Sequence, residues 1–268
     1  MPMQLKRIAL ILPLLMGGLY AGVLNVTTDA TVEDLTIESG DKMILSTGIT
    51  LTVNGDVVIT GELEMADSSV VDAGGNVTIT GVLDMDGSSR LKMIGDLTFT
   101  AGTLEAETGT GIDLNRGSEQ TVQGTVTGNI VSLTRRGSTT VFDLTATIED
   151  SLDTGGQNFT ISTGKTLTMD AGSVVEISGG AWTRTGTLAL DAASKVLYTT
   201  GSNSTMTPEV YGHIEHNGGI LSQDGALTVA GTFTNTSGNF VTSEDITASG
   251  IVWTAGQVTG TPSQAWDI

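Results

Sequence analysis

The sequence predicts an all-β chain wound as a parallel β-solenoid, with about 20 residues in each triangular coil. Gly55, Gly75 and Gly95 stand 20 residues apart, and each opens the same phrase: Asp56-Val57-Val58-Ile59-Thr60, Asn76-Val77-Thr78-Ile79-Thr80 and Asp96-Leu97-Thr98-Phe99-Thr100. Between these phrases apolar and polar residues alternate in short pieces, broken by Gly, Asp, Ser and Asn. That is the pattern of short strands rather than helices. A repeat this short cannot bury its apolar face alone, so coils must stack, each touching chiefly its neighbours.

Along the chain, Met1–Arg7 carries Lys6 and Arg7, residues 8–16 are apolar apart from Pro13, and residues 17–22 include several small side chains. This order is that of a secretory signal peptide over residues 1–22, too short for a comfortable membrane span. An uncleaved anchor is the alternative, because Leu19 or Tyr20 falls where a small residue is preferred before the cleavage point. Residues 23–268 are then expected to form a single β-solenoid domain, exported and extracellular or held at the cell surface.

In the best-ordered stretch the expected inward pairs are Val57/Ile59, Leu63/Met65 and Val71/Ala73, one pair per side of the triangle. One coil later they recur as Val77/Ile79, Leu83/Met85 and Leu91/Met93, so that Val57 stacks on Val77 and Leu63 on Leu83. The ruler glycines are expected at corners that need left-handed backbone, with Asn115 as the fourth ruler position. Asp56, Asn76 and Asp96 are placed to hydrogen-bond turn backbone between coils.

The register returns later with small length changes. Asp34–Gly55 aligns without gaps on Asn158–Gly179, Leu83–Arg90 resembles Leu188–Lys195, and Gly75–Leu83 is echoed by Gly225–Phe233. Residues 116–157, which hold Arg116, Arg135 and Arg136, read as looser coils, with a linker as the alternative. Residues 201–219, with Pro208 and both histidines, form the other irregular stretch.

Composition narrows the function. The net charge of −19 repels nucleic acid and anionic headgroups, so neither is an expected partner. With no cysteine, disulfides and thiolate metal sites are excluded, and stacking must supply the stability. No later segment is apolar enough to insert the mature chain in a membrane.

The candidate site is a group of carboxylates, Glu62, Glu64, Asp84 and Asp86, on outward positions of one side in adjacent coils. Glu64 and Asp84 stand one ruler length apart, and two carboxylates that close repel unless a cation bridges them. Oxygen-only ligands suit Ca²⁺. The plainer alternative is a solvated acidic face. Paired catalytic carboxylates are disfavoured because no Arg or Lys is expected on that side; Arg90 and Lys92 belong to the next. Asp72 and Lys92 are expected to form a surface ion pair across coils. On a strand His213 and Glu215 share a face while His216 points away, which is poor geometry for a shared metal. Trp182, Trp253 and Trp266 are candidates for sugar stacking, with burial the alternative. No nucleophile elbow, phosphate loop or dinucleotide fingerprint is present, so neither enzymatic activity nor an organic cofactor is expected.

The phrases Gly75-Asn-Val-Thr-Ile-Thr-Gly81-Val-Leu83 and Gly225-Ala-Leu-Thr-Val-Ala-Gly231-Thr-Phe233 resemble the Gly/Thr-rich repeats of bacterial surface proteins of the filamentous-haemagglutinin-like and autotransporter-type adhesin passengers. The resemblance spans most of residues 30–260 and is one of repeat style. It implies a right-handed, pectin-lyase-like β-helix, with an adhesin or structural role at the cell surface or matrix toward a host glycan or protein. No haemagglutinin-type secretion domain and no outer-membrane barrel is recognisable. The alternatives are a carbohydrate-binding or polysaccharide-degrading β-helix, including the phage tail-spike kind, and a filament-forming subunit. Open terminal coils would allow end-to-end self-association.

Overall fold

A computed structural model of the protein describes residues 22–260, 266 and 267, apart from 116, 137–138, 157, 180–181, 200–202, 207–209, 224 and 243. Residues 1–21 of the expected signal peptide, Arg116 and Pro208 lie outside the described residues. Every regular element among the described residues is a strand.

The first three coils set the pattern. The strands are β1 (Val23–Val26), β2 (Ala30–Val32), β3 (Leu35–Ile37), β4 (Lys42–Leu45), β5 (Thr50–Val53), β6 (Val57–Ile59), β7 (Glu62–Met65), β8 (Val70–Ala73) and β9 (Val77–Ile79). They continue as β10 (Val82–Met85), β11 (Arg90–Met93), β12 (Leu97–Ala106) and β13 (Gly111–Leu114). Every third strand pairs in parallel. The first face stacks β1, β4, β7, β10 and the second half of β12. The second stacks β2, β5, β8, β11 and β13, and the third β3, β6, β9 and the first half of β12. About 11 turns stack in this way. At roughly 4.8 Å per turn they span on the order of 50 Å.

Burial follows the alternation. Val57, Ile59, Leu63, Met65, Val71 and Ala73 are all 0% exposed, while Val58, Glu62, Glu64 and Asp72 face outward. The expected columns form, with Val57 opposite Val77, Val77 opposite Leu97, and Leu63 opposite Leu83. Because each coil presents like side chains to the next, the core is one continuous column that no single coil could bury.

The ruler glycines have a different cause from the one expected. Gly55, Gly75 and Gly95 are not among the residues with positive φ. They are glycine because the corner backbone passes directly over its predecessor. A Cβ on Gly75 would lie 2.6 Å from the carbonyl carbon of Gly55, and one on Gly95 would lie 2.3 Å from that of Gly75. In the regular coils the left-handed positions are at other corners, and the aligned pairs Gly40/Gly164 and Gly48/Gly172 share them, with φ of 89° and 76°, and 74° and 80°. The ruler corner itself takes positive φ only in later coils, among them at Gly155, Gly156 and Gly179, the aligned partner of Gly55. Asn115 is not the fourth ruler position. Met93 registers with Leu114, which sets Asn115 level with Ile94.

At the ruler corner the Asx side chains make a ladder. The backbone N–H of Asp56 donates to Asp34 Oδ1 (3.0 Å), Asn76 to Asp56 Oδ1 (2.7 Å), Asp96 to Asn76 Oδ1 (2.9 Å) and Thr121 to Asp96 Oδ1 (2.9 Å). The neutral Asn76 between two carboxylates avoids an unbroken row of like charge. A second corner carries buried hydroxyls. Ser69, Ser89, Thr110, Ser173 and Ser194 each close a turn on the carbonyl three residues back. The Thr110, Ser173 and Ser194 hydroxyls donate to the same carbonyls.

Beyond β12 the coils change length. A bulge between Thr100 and Gly102, with Ala101 at φ 59°, lets a longer coil enter, so that Gln120 bonds Gly95 across 25 residues. The strands Gln120–Thr127, Ile130–Arg135 and Thr140–Asp153 then pair in register on both sides, which continues the stack through the stretch that reads as irregular. Arg135 enters the inward column of Met93 and Leu114 and is 2% exposed. Its Nη1 donates to the carbonyls of Thr154 (3.2 Å) and Asn158 (2.8 Å), and burial lowers its pKa to about 10 against the opposing pull of Asp153.

Near the C-terminus the turns shrink until strands run through corners. Leu227–Thr242 pairs successively with residues 246–248, 250–253 and 257–260. The echo of Gly75–Leu83 in Gly225–Phe233 is displaced by one face. Leu83 lies on the first face, whereas Phe233 continues the second through Ile214 and Val196.

Candidate functional site

The first face carries the carboxylates. Alternation in β7 and β10 turns Leu63, Met65, Leu83 and Met85 inward and therefore sends Glu62, Glu64 and Asp84 outward. Parallel register stacks Ile44, Glu64, Asp84 and Glu105 in one row and Lys42, Glu62, Val82 and Thr103 in the next. Carboxylate oxygens of Glu62, Glu64 and Asp84 come within 4.8 Å of one another. Asp86 stands outside that group of three, in the turn after β10, where Glu107 and Glu64 are its charged neighbours.

Lys42 sits on this face, contrary to the expectation that no basic residue would. Its Nζ donates to Glu62 Oε1 at 2.7 Å and lies 2.6 Å from Glu64 Oε2. The ruler contains the signal that would have found it, since Lys42 stands one coil before Glu62. Hydrogen bonds to Glu62 and then Glu64 hold its ammonium group well above the ordinary lysine range. The stripe also runs further than the four candidates, through Glu105 and Glu107.

Compensation by Lys42 stops at Glu64. Asp84 lies one coil beyond, with Glu64 on one side and Glu105 on the other. Its pKa is raised from 3.8 to about 6, chiefly by desolvation and then by the charges of Asp86, Glu105, Glu64 and Glu62. Desolvation also raises Asp86, with Glu107 and Glu64 adding to it. Chemically the patch is neutralised at Lys42 and least compensated at Asp84, one coil beyond.

As a Ca²⁺ site the group offers three carboxylates, whereas Ca²⁺ takes six to eight oxygens as a rule. The position between Glu62 and Glu64 already holds the Lys42 ammonium group. The adjoining connections are short turns, Ala66–Ser69 and Asp86–Ser89, each closed by a backbone hydrogen bond. No loop from them reaches over the strands to add ligands or form a groove wall.

The other candidates are dispersed. Asp72 and Lys92 are register neighbours on the second face, yet no ion pair joins them; Arg90 instead lies 3.9 Å from Asp113. His213 is half-buried and faces outward, while His216 is 1% exposed and faces the core, so the two do not share a ligand position. Trp253 is half-buried, and its Nε1 donates to the Gly256 carbonyl at 3.4 Å. The side chains of Trp182 and Trp266 lie outside the described residues. No helix among the described residues is long and apolar enough to cross a membrane. No protein-family model, curated protein or solved structure matches the chain.

Proposed function

We propose that the chain is an exported rod that works at a bacterial surface or in its matrix, as a spacer or adhesive module. The observation that supports this most is the turn geometry of the acidic face. Strands that carry its charged residues are linked by tight four-residue turns, so the face is an open strip rather than a cleft. Binding of a small substrate favours a concave site with converging polar groups. An open strip with a regular repeat suits contact with an extended surface or polymer. The continuous inward columns supply the stiffness that a spacer needs.

The test uses the chain from Val23 onward, applied to glycan arrays and to host cells, with and without Ca²⁺. Saturable binding to a glycan or cell surface identifies an adhesive module. A rigid, elongated particle by small-angle scattering that binds neither identifies a spacer. Depolymerisation of an acidic polysaccharide by the same preparation would overturn both in favour of a degrading enzyme.

A further inference from the structure

The inward column of the second face turns polar near the C-terminus. Ile177 registers with Tyr198, Tyr198 with His216, His216 with Asn235, and Asn235 with Trp253. His216 and Asn235 are 1% and 0% exposed. His216 Nδ1 lies 2.5 Å from Asn235 Oδ1, and Nε2 lies 2.5 Å from the Gly218 carbonyl oxygen. The orientation of Asn235 is fixed from its far side, where Nδ2 donates to the Ala255 carbonyl at 2.6 Å. Reversing the amide would set Oδ1 against that carbonyl.

Both ring nitrogens therefore face acceptors. A neutral imidazole carries one N–H, so in either tautomer one nitrogen lone pair would meet an oxygen lone pair. The imidazolium has two donors and satisfies both, with the added strength of charge-assisted hydrogen bonds. His213, on the same strand, has the opposite demand. Its Nδ1 accepts from the Thr232 backbone N–H at 3.1 Å, which requires that nitrogen to be bare. We propose that the His216–Asn235 pair is a proton-operated latch: the coils from Leu227 to Gly260 are held tightly when His216 carries protons on both ring nitrogens, and loosen when it loses one.

The surroundings leave this role to His216. The register neighbours on the strands packed against it are Tyr198 and Asn235, with Trp253 one coil further. On its own strand Glu215 and His213 face outward, and Glu215 is held at 3.0 Å by Lys195. No Asp or Glu is buried among the described residues, so the balancing groups are the carbonyl and amide oxygens themselves. Asn235 passes the contact on to Ala255, so one proton ties together three successive coils.

The direct test is histidine nitrogen NMR on a His213→Gln variant, in which His216 is the single remaining histidine. Because each faces an oxygen acceptor, both of its ring nitrogens are expected to carry protons in the folded chain at about pH 6. One protonated and one bare nitrogen at that pH overturns the proposal. The energetic test is urea unfolding of this variant at about pH 6 and about pH 8.5, compared with the double variant His213→Gln/His216→Gln. The comparison cancels the titration of Asp84. The folded-to-unfolded ratio is expected to fall about tenfold more in the single variant, the effect of leaving one buried acceptor unpaired. Equal pH dependence in the two proteins overturns the proposal. If the double variant does not fold, the NMR result decides.

Discussion

Replacing Asp84 by Asn should stabilise the protein at neutral pH, although it removes a charge from a surface position. Asp84 is flanked in register by Glu64 and Glu105, and the Lys42 ammonium group pairs with Glu62 and Glu64 one coil away. Its pKa rises on folding from 3.8 to about 6, so the folded chain takes up a proton between those values. Native stability is accordingly lowered above about pH 6 and recovers as pH falls toward 4. The displacement corresponds to about 3 kcal/mol. Solvent and salt screening at this partly exposed position reduce that to about 1.5 kcal/mol. For a chain of this length such a gain raises the thermal midpoint by about 3–6 °C. The assay is thermal unfolding of wild type and Asp84→Asn at pH 7.5 and pH 4, in low and high salt. The gain should appear at pH 7.5, shrink with added salt and vanish at pH 4. An unchanged or lowered midpoint at pH 7.5, or an equal gain at pH 4, would refute the account of Asp84 as a desolvated carboxylate set among like charges.

Two further perturbations test other parts of the structure. Gly75→Ala forces a Cβ against the Gly55 backbone, whereas at Gly48, with φ 74°, a Cβ meets nothing within 4 Å. Calorimetry should therefore show Gly48→Ala costing about 1 kcal/mol, the usual conformational penalty, and Gly75→Ala costing clearly more because stacked backbones must separate. Lys42→Gln removes the built-in cation from between Glu62 and Glu64. The wild-type midpoint should respond weakly to millimolar Ca²⁺ and the variant more strongly; an equal response in both would mean that Lys42 does not compete for that position.

The regular half of the fold was legible because its physics is local and repeated. Val57, Leu63 and Val71 each announce an inward position, and a 20-residue shift finds the next member of each column. What the sequence concealed involves the contact between coils. Gly75 looks like a turn glycine, and only the distance to Gly55 shows that its missing Cβ makes room for the backbone one coil earlier. Lys42 was legible in spacing but lies outside the most regular stretch, so the acidic patch read as uncompensated. The displaced echo at Gly225–Phe233 has a chemical reason: all three sides use two inward apolar residues and a turn, so similar phrases fit any of them. Arg135 and His216 occupy inward positions that alternation alone assigns to apolar residues. Their partners are carbonyl and amide oxygens brought close by coil changes that single-chain periodicity does not encode.

The Asx ladder gives the stack a sense of direction. From Asp34 to Thr121 every rung runs the same way, a side chain in the earlier coil receiving the N–H of the later one. A newly added coil thus finds its acceptors already fixed in place, while a coil without a predecessor has a corner N–H with nothing to receive it. At this corner each turn carries the side-chain acceptor that seats the backbone N–H of the next. A chain that emerges N-terminus first can set these rungs in order of appearance, without waiting for distant sequence. The same asymmetry lets such a rod lengthen by copying one ruler unit, because the new corner presents the same acceptor that it consumed.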